Sequence, residues 1–296
     1  MPVRRTIDAH THAFSPDLIG CRDETCGADG WFGQLYGNPR ALLTTADDLV
    51  LSMDAAGIEQ SIMCGFPWRD EGRCREQNAY FAEVTRQSGG RLGWLSAISP
   101  RAPGAARDAA DAFAAGALGI GELNADAQGF DLTRPEELRP LIEVCMEHDR
   151  PLMLHASEPL GHLYPGKGTA TPDRLLTFVS AFPDLRVIAA HWGGGLPFYE
   201  LMPEVAAATR NVVYDSAAST YLYRFDVFRT VLDVVGADRV MFASDFPVLR
   251  QDRFRRWVER IVMTDQEQGA VMAETAARIY GFAPPTADSI DIGQRG

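Results

Sequence analysis

Apolar segments rich in β-branched residues recur along the sequence about 25 to 50 residues apart, which is the spacing of successive βα units. They predict eight strands, at residues 6–14, 59–66, 91–100, 117–124, 151–157, 186–194, 211–219 and 239–247. Eight strands that alternate with helices predict an α/β protein whose parallel strands close into a (β/α)8 TIM barrel. A doubly wound open sheet is the alternative, but eight evenly spaced units favour the barrel.

Most intervals between these strands have helical periodicity and recognisable start and stop signals. Thr45 can cap a helix that Gly57 ends, and Pro135 and Pro172 each lie in a predicted first turn. A further helix is predicted in residues 265–281, beyond the eighth strand. The barrel is therefore expected to carry an extra C-terminal helix.

The hydrophobic pattern shows no break that would divide the chain into two domains. A single barrel domain is predicted over residues 1–282, followed by a loose tail at residues 283–296 that is poor in large apolar residues. Two polar stretches with Gly and Pro, residues 21–44 and 160–171, each follow a predicted strand. Because the loops after barrel strands lie at one end of the barrel, both stretches are predicted to be loops over its mouth.

Composition and charge narrow the classes of partner. Of the 296 residues, 46% are hydrophobic, and the formal net charge is −12. Because nucleic acids and anionic membranes require a basic surface, neither is an expected partner. A small-molecule substrate is expected instead, and an acidic one is compatible with a local cationic pocket. The sequence leaves a homodimer open.

The sequence also bears on the compartment. No apolar run approaches the length of a signal-peptide core or of a membrane span. The five cysteines form no dense framework, so reduced thiols are the simplest interpretation. We therefore expect a cytoplasmic protein.

Chemistry-bearing residues stand at the ends of the predicted strands, where barrel enzymes hold their active sites. His10 and His12 end the first strand, His155 the fifth, His191 the sixth and Asp245 the eighth. His10 and His12 are two residues apart, so both side chains point into the barrel. A lone buried histidine is usually a packing residue, but several independent strand ends agree here. Imidazoles and a carboxylate predict a site for zinc, with manganese or iron(II) as alternatives.

Four segments together resemble the amidohydrolase-related family, in the branch that includes aminocarboxymuconate semialdehyde decarboxylase. They are HTH on strand one, HA on strand five, HWGGG on strand six and ASDFP on strand eight. The closing AARIYGF is also similar, so the resemblance covers nearly the whole chain. It implies that His10, His12, His155 and Asp245 bind a divalent metal. It also implies that His191 contacts the substrate or a metal-bound water.

Strand four raises a separate question. Many binuclear members of this family bridge two metals there with a carboxylated lysine, but the only lysine in this sequence is Lys167. Glu122 stands in its place, and its parity with Leu118 and Ile120 predicts that it points inward. The segment GIGEL also resembles the one in which TatD-type nucleases carry a metal-bridging glutamate. Two interpretations stay open: Glu122 binds metal, or it hydrogen-bonds a ligand histidine.

The resemblance and the ligand set favour a metal-dependent hydrolase in which a metal-activated water attacks a small substrate. Asp245 would take the proton from that water, and His191 would stabilise the oxyanion. The alternative is a non-oxidative decarboxylase (a lyase) with the same metal site. A metal-binding scaffold without turnover is the third interpretation, which the complete ligand set disfavours.

The predicted loops bear on the substrate. Trp68 and Arg69 follow the second strand, and His162, Tyr164 and Lys167 follow the fifth. An aromatic ring with cations nearby predicts a flat substrate that carries a carboxylate. Lys167 lies between two glycines, and its compact ammonium is predicted to meet that carboxylate. For Trp68 and Arg69, loop packing is an equal alternative.

Overall fold

The computed structural model describes residues 5–282 of the chain, so the predicted tail at residues 283–296 lies outside the described residues. Each predicted strand segment contains an observed strand that is shorter than the segment. The strands are Ile7–Thr11 (β1), Gln60–Met63 (β2), Leu92–Trp94 (β3), Ile120–Leu123 (β4), Leu152–Leu154 (β5), Val187–Ala189 (β6), Val212–Asp215 (β7) and Val240–Met241 (β8).

Neighbouring strands pair in parallel, in the orders β1-β2-β3 and β4-β5-β6-β7-β8. Two isolated parallel bridges join these groups: Ser96 pairs with Ile120 between β3 and β4, and Thr11 pairs with Phe246 between β8 and β1. The eight strands therefore form the predicted TIM barrel. All their carboxyl ends meet at one end of it, which is the mouth.

Helices follow the strands around the outside of the barrel. They are Pro16–Gly20 (α1), Arg22–Ala28 (α2), Gly30–Tyr36 (α3), Ala46–Ala56 (α4), Glu71–Gln87 (α5), Ala105–Ala114 (α6), Ala125–Gln128 (α7), Arg139–Glu147 (α8), Pro172–Ala181 (α9), Ala190–Gly193 (α10), Pro203–Ala208 (α11), Ser219–Leu222 (α12), Val227–Val235 (α13), Gln251–Val258 (α14), Asp265–Gly269 (α15) and Thr275–Tyr280 (α16). Short 3-10 segments span Pro135–Leu138, Leu196–Leu201 and Ala237–Arg239, and a π turn spans Ala270–Glu274.

The predicted start and stop signals are confirmed. The Thr45 side chain caps α4, which ends at Gly57 in a left-handed conformation with φ of 66°. Pro135 opens the turn before α8, and Pro172 is the first residue of α9. The predicted extra helix is present as α15, the π turn and α16, which ends at left-handed Gly281.

Residues 21–44 differ from their prediction as a loop, because they carry α2 and α3. Asp29 caps α3 by accepting a hydrogen bond from the backbone N–H of Phe32 at 2.8 Å. The Nε of Arg22 donates to the carbonyl of Tyr36 at 2.8 Å, which ties the start of α2 to the end of α3. Helices this short depend on tertiary packing for stability, so their periodicity alone does not reveal them.

Two apolar layers hold the barrel together and leave its mouth to polar residues. Inside, side chains such as Ile7, Met153 and Met241 pack against α16 at the amino-terminal end. The hydroxyl of Tyr280 in that helix donates a hydrogen bond to the carbonyl of Ala9 at 2.9 Å. A larger cluster fills the space between the strands and the outer helices. The amino-terminal end is thus closed by apolar packing, and chemistry is confined to the mouth.

No helix among residues 5–282 is long and apolar enough to cross a membrane. The five cysteines are free of disulfides, as predicted. Burial raises the pKa of Cys64, Cys74 and Cys145 to about 12, so these thiols stay protonated and unreactive.

Candidate metal centre

Four histidines and two carboxylates converge at the mouth of the barrel, at the ends of β1, β4, β5 and β6 and just beyond β8. They are His10, His12, Glu122, His155, His191 and Asp245. All are buried except His155, whose side chain is 13% exposed. The structure therefore brings together every residue that the sequence predicted for metal binding and catalysis, and this cluster is called the metal centre below.

His10 in β1 and His12 just beyond its end both point into the barrel, as their spacing predicted. Their Nε2 atoms lie 3.1 Å apart. The Nδ1 of His10 lies 2.8 Å from the Oδ2 of Asp215, which fixes the ring so that Nε2 faces the centre. The Nε2 of His12 lies 3.2 Å from the Oδ1 of Asp245. The end of β1 thus supplies two ring nitrogens aimed at one point.

Glu122 occupies the middle of the centre. Its Oε1 lies 2.8 Å from the Nδ1 of His155 and 3.2 Å from the Nε2 of His191, and its Oε2 lies 3.6 Å from the Nε2 of His10. The inward orientation predicted from parity is confirmed. These contacts are compatible with Glu122 as a hydrogen-bond partner of a ligand histidine and with Glu122 as a metal ligand. It hydrogen-bonds histidines, and its oxygens are also within reach of a cation shared with them.

His191 and Asp245 both have left-handed backbones, with φ of 56° and 61°. Such conformations cost non-glycine residues about 1–3 kcal/mol and persist only where the surroundings hold them. The backbone N–H of Asp245 donates to the carbonyl of His10 at 3.0 Å. That of His191 donates to the Oδ1 of Asp215 at 2.8 Å. The barrel therefore holds both backbones in an unfavourable conformation that aims their side chains at the centre.

Asp215 is a residue of the site that the sequence analysis missed. It is fully buried at the end of β7, and its two oxygens hold the His10 ring and the His191 backbone. A signal was present, because Asp215 directly follows the apolar residues 212–214 within the seventh predicted segment. Applying the strand-end argument to every strand would have found it.

The charges of the centre reinforce one another. Burial opposes ionisation of Glu122, but the positive charges of His155 and His10 hold its pKa well below the usual range. Burial likewise opposes protonation of His191, but the hydrogen bond and charge of Glu122 raise its pKa to about 9. A hydrogen bond from His12, acting against burial, lowers the pKa of Asp245. The histidines of the centre therefore favour the ionised forms of its carboxylates, and Glu122 favours protonation of His191.

The donor set fits a divalent cation. The site contains two sets of three possible ligands, and within each set the ligand atoms all lie within 4.8 Å of one another. One set is His10, His12 and Glu122, and the other is Glu122, His155 and His191. Two ring nitrogens that face each other at 3.1 Å, with a carboxylate beside them, form an arrangement that a shared cation satisfies better than a shared proton. The buried Nδ1 of His12 also has no hydrogen-bond partner among the described residues.

Trp68 and Arg69, both predicted to contact substrate, line a cleft of about 690 Å³ beside α2 and α3. The Trp68 indole is 1% exposed, stacks on Phe32 and donates from Nε1 to the Oε1 of Gln77 at 2.8 Å. The guanidinium of Arg69 donates to the backbone carbonyl of Ala127. Trp68 therefore packs against its neighbours and Arg69 ties two loops together, while a substrate contact of either residue stays a prediction.

Residues 160–171 form the loop that was predicted after the fifth strand. Lys167 directs its Nζ to the carbonyls of Leu160 at 2.6 Å and His162 at 3.1 Å, and it lies 5.7 Å from the centroid of the Tyr164 ring. The ammonium therefore braces its own loop, which the sequence did not predict. The His162 ring packs 5.6 Å from that of Tyr164 in an exposed part of the loop.

Solved structures of three decarboxylases are similar to this fold. The 5-carboxyvanillate decarboxylase of Sphingomonas paucimobilis has a TM-score of 0.78 and 16% identity, over 95% of this chain and 100% of that chain. The 5-carboxyvanillate decarboxylase of Novosphingobium aromaticivorans has a TM-score of 0.77 and 20% identity, over 94% of this chain and 96% of that chain. It was solved in complex with manganese and 4-hydroxy-3-methoxy-5-nitrobenzoic acid. The 2,6-dihydroxybenzoate decarboxylase from Rhizobium has a TM-score of 0.73 and 20% identity, over 94% and 99%.

One protein-family model matches nearly the whole sequence. No curated protein matches it significantly. The family model described as amidohydrolase matches residues 7–282, from the first strand to the end of the last helix. The chain therefore belongs to the amidohydrolase family.

Proposed function

We propose that this protein is a metal-dependent enzyme that removes a carboxylate from a small aromatic acid without oxidation. The observation that carries this proposal is the metal centre, where nitrogen and oxygen donors converge at the barrel mouth. The similar structures are decarboxylases of 5-carboxyvanillate or 2,6-dihydroxybenzoate. They support decarboxylation over the hydrolysis that the sequence analysis favoured.

We propose His10, His12, His155 and Asp245 as metal ligands, with Glu122 either as a further ligand or as the partner of His155. A bound divalent cation would supply positive charge that holds and polarises substrate oxygens. The mixed donor set suits zinc, manganese or iron(II). Because a decarboxylase of similar fold was solved with manganese, manganese is the first metal to test, ahead of the zinc that the sequence favoured.

The proton balance of decarboxylation indicates a role for His191. The bond between the ring carbon and the carboxyl carbon breaks, its electron pair stays on the ring carbon, and CO₂ leaves. The ring carbon must then take a proton. Against the effect of burial, the hydrogen bond and charge of Glu122 raise the pKa of His191, and we propose the Nε2 of that ring as the proton donor. Glu122, 3.2 Å away, holds that ring in place.

Hydrolysis is the second candidate, favoured by the positions of Glu122 and Asp245. Both groups of ligand atoms share Glu122, so its carboxylate can serve two cations or one. The ionised Asp245 could take a proton from an attacking water and pass it to the leaving group. His191 would then donate a hydrogen bond to the developing oxyanion. An amide, lactone or ester would be the substrate.

We propose that the loop 160–171 covers the substrate. His162 lies in its exposed part, and Lys167 braces it from within. Lys167 would then act on the substrate through the shape of the loop, in addition to any direct contact with a carboxylate. Arg69 would act similarly, by holding the loop after β2 against α7.

The test begins with elemental analysis of the purified protein. Manganese-loaded and zinc-loaded samples are then incubated separately with hydroxylated benzoic acids, lactones and amides. Evolution of CO₂ together with the corresponding phenol is the expected result. Acid release from a lactone or amide without CO₂ would overturn decarboxylation in favour of hydrolysis. Full metal content without turnover of any class would favour the scaffold interpretation instead.

A further inference from the structure

A second concave site lies at the rim of the mouth, between the segments that follow β7 and β8. It is a cleft of about 690 Å³ bounded by Thr220 and Tyr221 on one side and by residues 248–260 on the other. None of the six residues of the metal centre lines it. It is called the rim cleft below.

The rim cleft concentrates positive charge on a protein whose formal net charge is −12. Four arginines line it, at positions 250, 253, 256 and 260, and no acidic residue does. Arg250 and Arg256 share one carboxylate, that of Asp252, at 3.0 Å each. Among residues 5–282, no acidic side chain pairs with Arg253 or Arg260. Like charges three and four residues apart along this segment repel each other, so a bound anion would relieve that repulsion.

Exposed apolar side chains also line the rim cleft. The indole of Trp257 is 43% exposed, Val248 is 47% exposed and Tyr221 is 59% exposed. Phe225 packs against Trp257 at a ring distance of 5.3 Å, in a T-shaped arrangement that fixes the indole. A fixed, exposed indole beside unpaired guanidinium groups suits a flat ring that carries anionic groups, because guanidinium forks match oxyanions and rings stack on indole.

We propose that the rim cleft binds a small flat ring that carries oxyanion groups, either carboxylates or phosphate, at a site separate from the metal centre. Arg253 and Arg260 hold the anionic groups, and Trp257 supports the ring. A second copy of this chain is a poor occupant, because a two-fold contact here would place arginines against arginines. The proposal does not depend on which reaction the metal centre performs.

The test is isothermal titration of the metal-loaded protein at low salt with two probes, benzene-1,3,5-tricarboxylate and adenosine monophosphate. We expect at least one probe to bind, and the probe that binds distinguishes carboxylates from phosphate. The double variant R253Q/R260Q should bind that probe at least about tenfold more weakly, because two charge-assisted contacts are lost. W257L should weaken binding as well. The matched control R107Q/R210Q removes two exposed arginines from other elements and should bind as the wild type does.

Two further titrations separate this site from the metal centre. The H12A protein, in which the metal centre is disrupted, should still bind the probe at the rim cleft. Cyclohexane-1,3,5-tricarboxylate, with the same charges but no flat ring, should bind less tightly than the aromatic tricarboxylate if carboxylates are preferred. The proposal is wrong if neither probe binds the wild type, if R253Q/R260Q retains full affinity, or if binding disappears with H12A alone.

Discussion

Two charged clusters in this barrel differ in whether each charged group finds a partner within its own cluster. In the outer core, the carboxylate of Glu200 accepts hydrogen bonds from the two terminal nitrogens of Arg239 at 2.6 and 2.8 Å, and from the Tyr214 hydroxyl at 2.5 Å. Arg239 also donates to the carbonyls of Val212 and Thr209. In this cluster each charge is matched, and the cluster ties the segment after β6 to β7 and β8.

The metal centre has more charged groups, but several of its donor and acceptor atoms lack a complementary partner. The Nε2 atoms of His10 and His12 face each other, and the Nδ1 of His12 has no partner among the described residues. Glu122 and Asp245 bring two carboxylates into the same small volume. Burial of charge alone therefore does not mark a functional site. The cluster around Glu200 is complete without a ligand, which suits a role in stability, whereas the metal centre has converging donor atoms that a cation would complete.

The largest effect is expected from removing a proposed ligand of the metal centre. His12→Ala or His155→Ala should abolish both stoichiometric metal and activity, because each removes one of the converging nitrogens. The barrel should stay folded, since neither ring belongs to an apolar core. Elemental analysis, circular dichroism and the activity assay measure these effects. His148→Ala, at an exposed histidine after α8, is the matched control. Full metal content in both ligand variants would contradict the assignment.

The variant Asp245→Asn tests whether Asp245 of the metal centre takes part in proton transfer. The variant keeps the shape of the side chain but loses the charge of a proposed metal ligand. Turnover should therefore fall by more than the roughly 10²–10⁴-fold that the loss of a general base alone costs, and metal content should fall with it. A loss within that range at full metal content would mean that Asp245 moves a proton without binding metal. Turnover and metal content close to wild type would contradict both roles and leave proton transfer to His191.

The complete cluster should respond to substitution in stability rather than in metal content. Glu200→Gln leaves the buried guanidinium of Arg239 without its counter-charge, which should lower the free energy of unfolding by about 3–5 kcal/mol. Chemical denaturation measures the change. The control Asp184→Asn breaks an exposed pair with Arg210 and should cost less than about 0.5 kcal/mol. A Glu200→Gln protein as stable as wild type would remove the distinction between the clusters.

The smallest effect is expected at Lys167. Lys167→Arg keeps the charge, but a planar fork cannot replace a compact ammonium that lies between two carbonyls of one loop. With the substrate found in the screen, kcat/KM should fall about tenfold, or about 1.4 kcal/mol, while metal content is unchanged. Kinetics indistinguishable from wild type would show that the single lysine has no special role.

The fold and the metal centre could be predicted from the sequence because both follow from short-range rules. Apolar segments with a fixed spacing indicate barrel strands, and the two-residue period of a strand placed His10, His12 and Glu122 inward. The barrel then brings the strand ends together without further information. Asp215 obeyed the same rules and was missed because the strand-end argument was not extended to β7.

The loop residues could not be predicted because their surroundings depend on distant parts of the chain. Trp68 is buried partly by the distant α2–α3 segment, whose Phe32 stacks against its indole. Those helices are in turn too short to be stable without that contact. Arg69 and Lys167 bind backbone carbonyls, which have no signature in the sequence. Side chains at strand ends are therefore predictable here, and those on loops are not.

The closure of the barrel has a consequence for the order of events during synthesis. The first two residues of the metal centre lie at the end of β1, and the backbone N–H of Asp245 donates to the carbonyl of His10 across the seam with the last strand. The carbonyl of Ala9, next to His10, accepts its hydrogen bond from Tyr280 near the end of the described chain. His10 thus leaves the ribosome among the earliest residues, but the contacts around it are complete only when the last helix has emerged. A nascent chain released before α16 would carry all six residues of the metal centre without the frame that holds them.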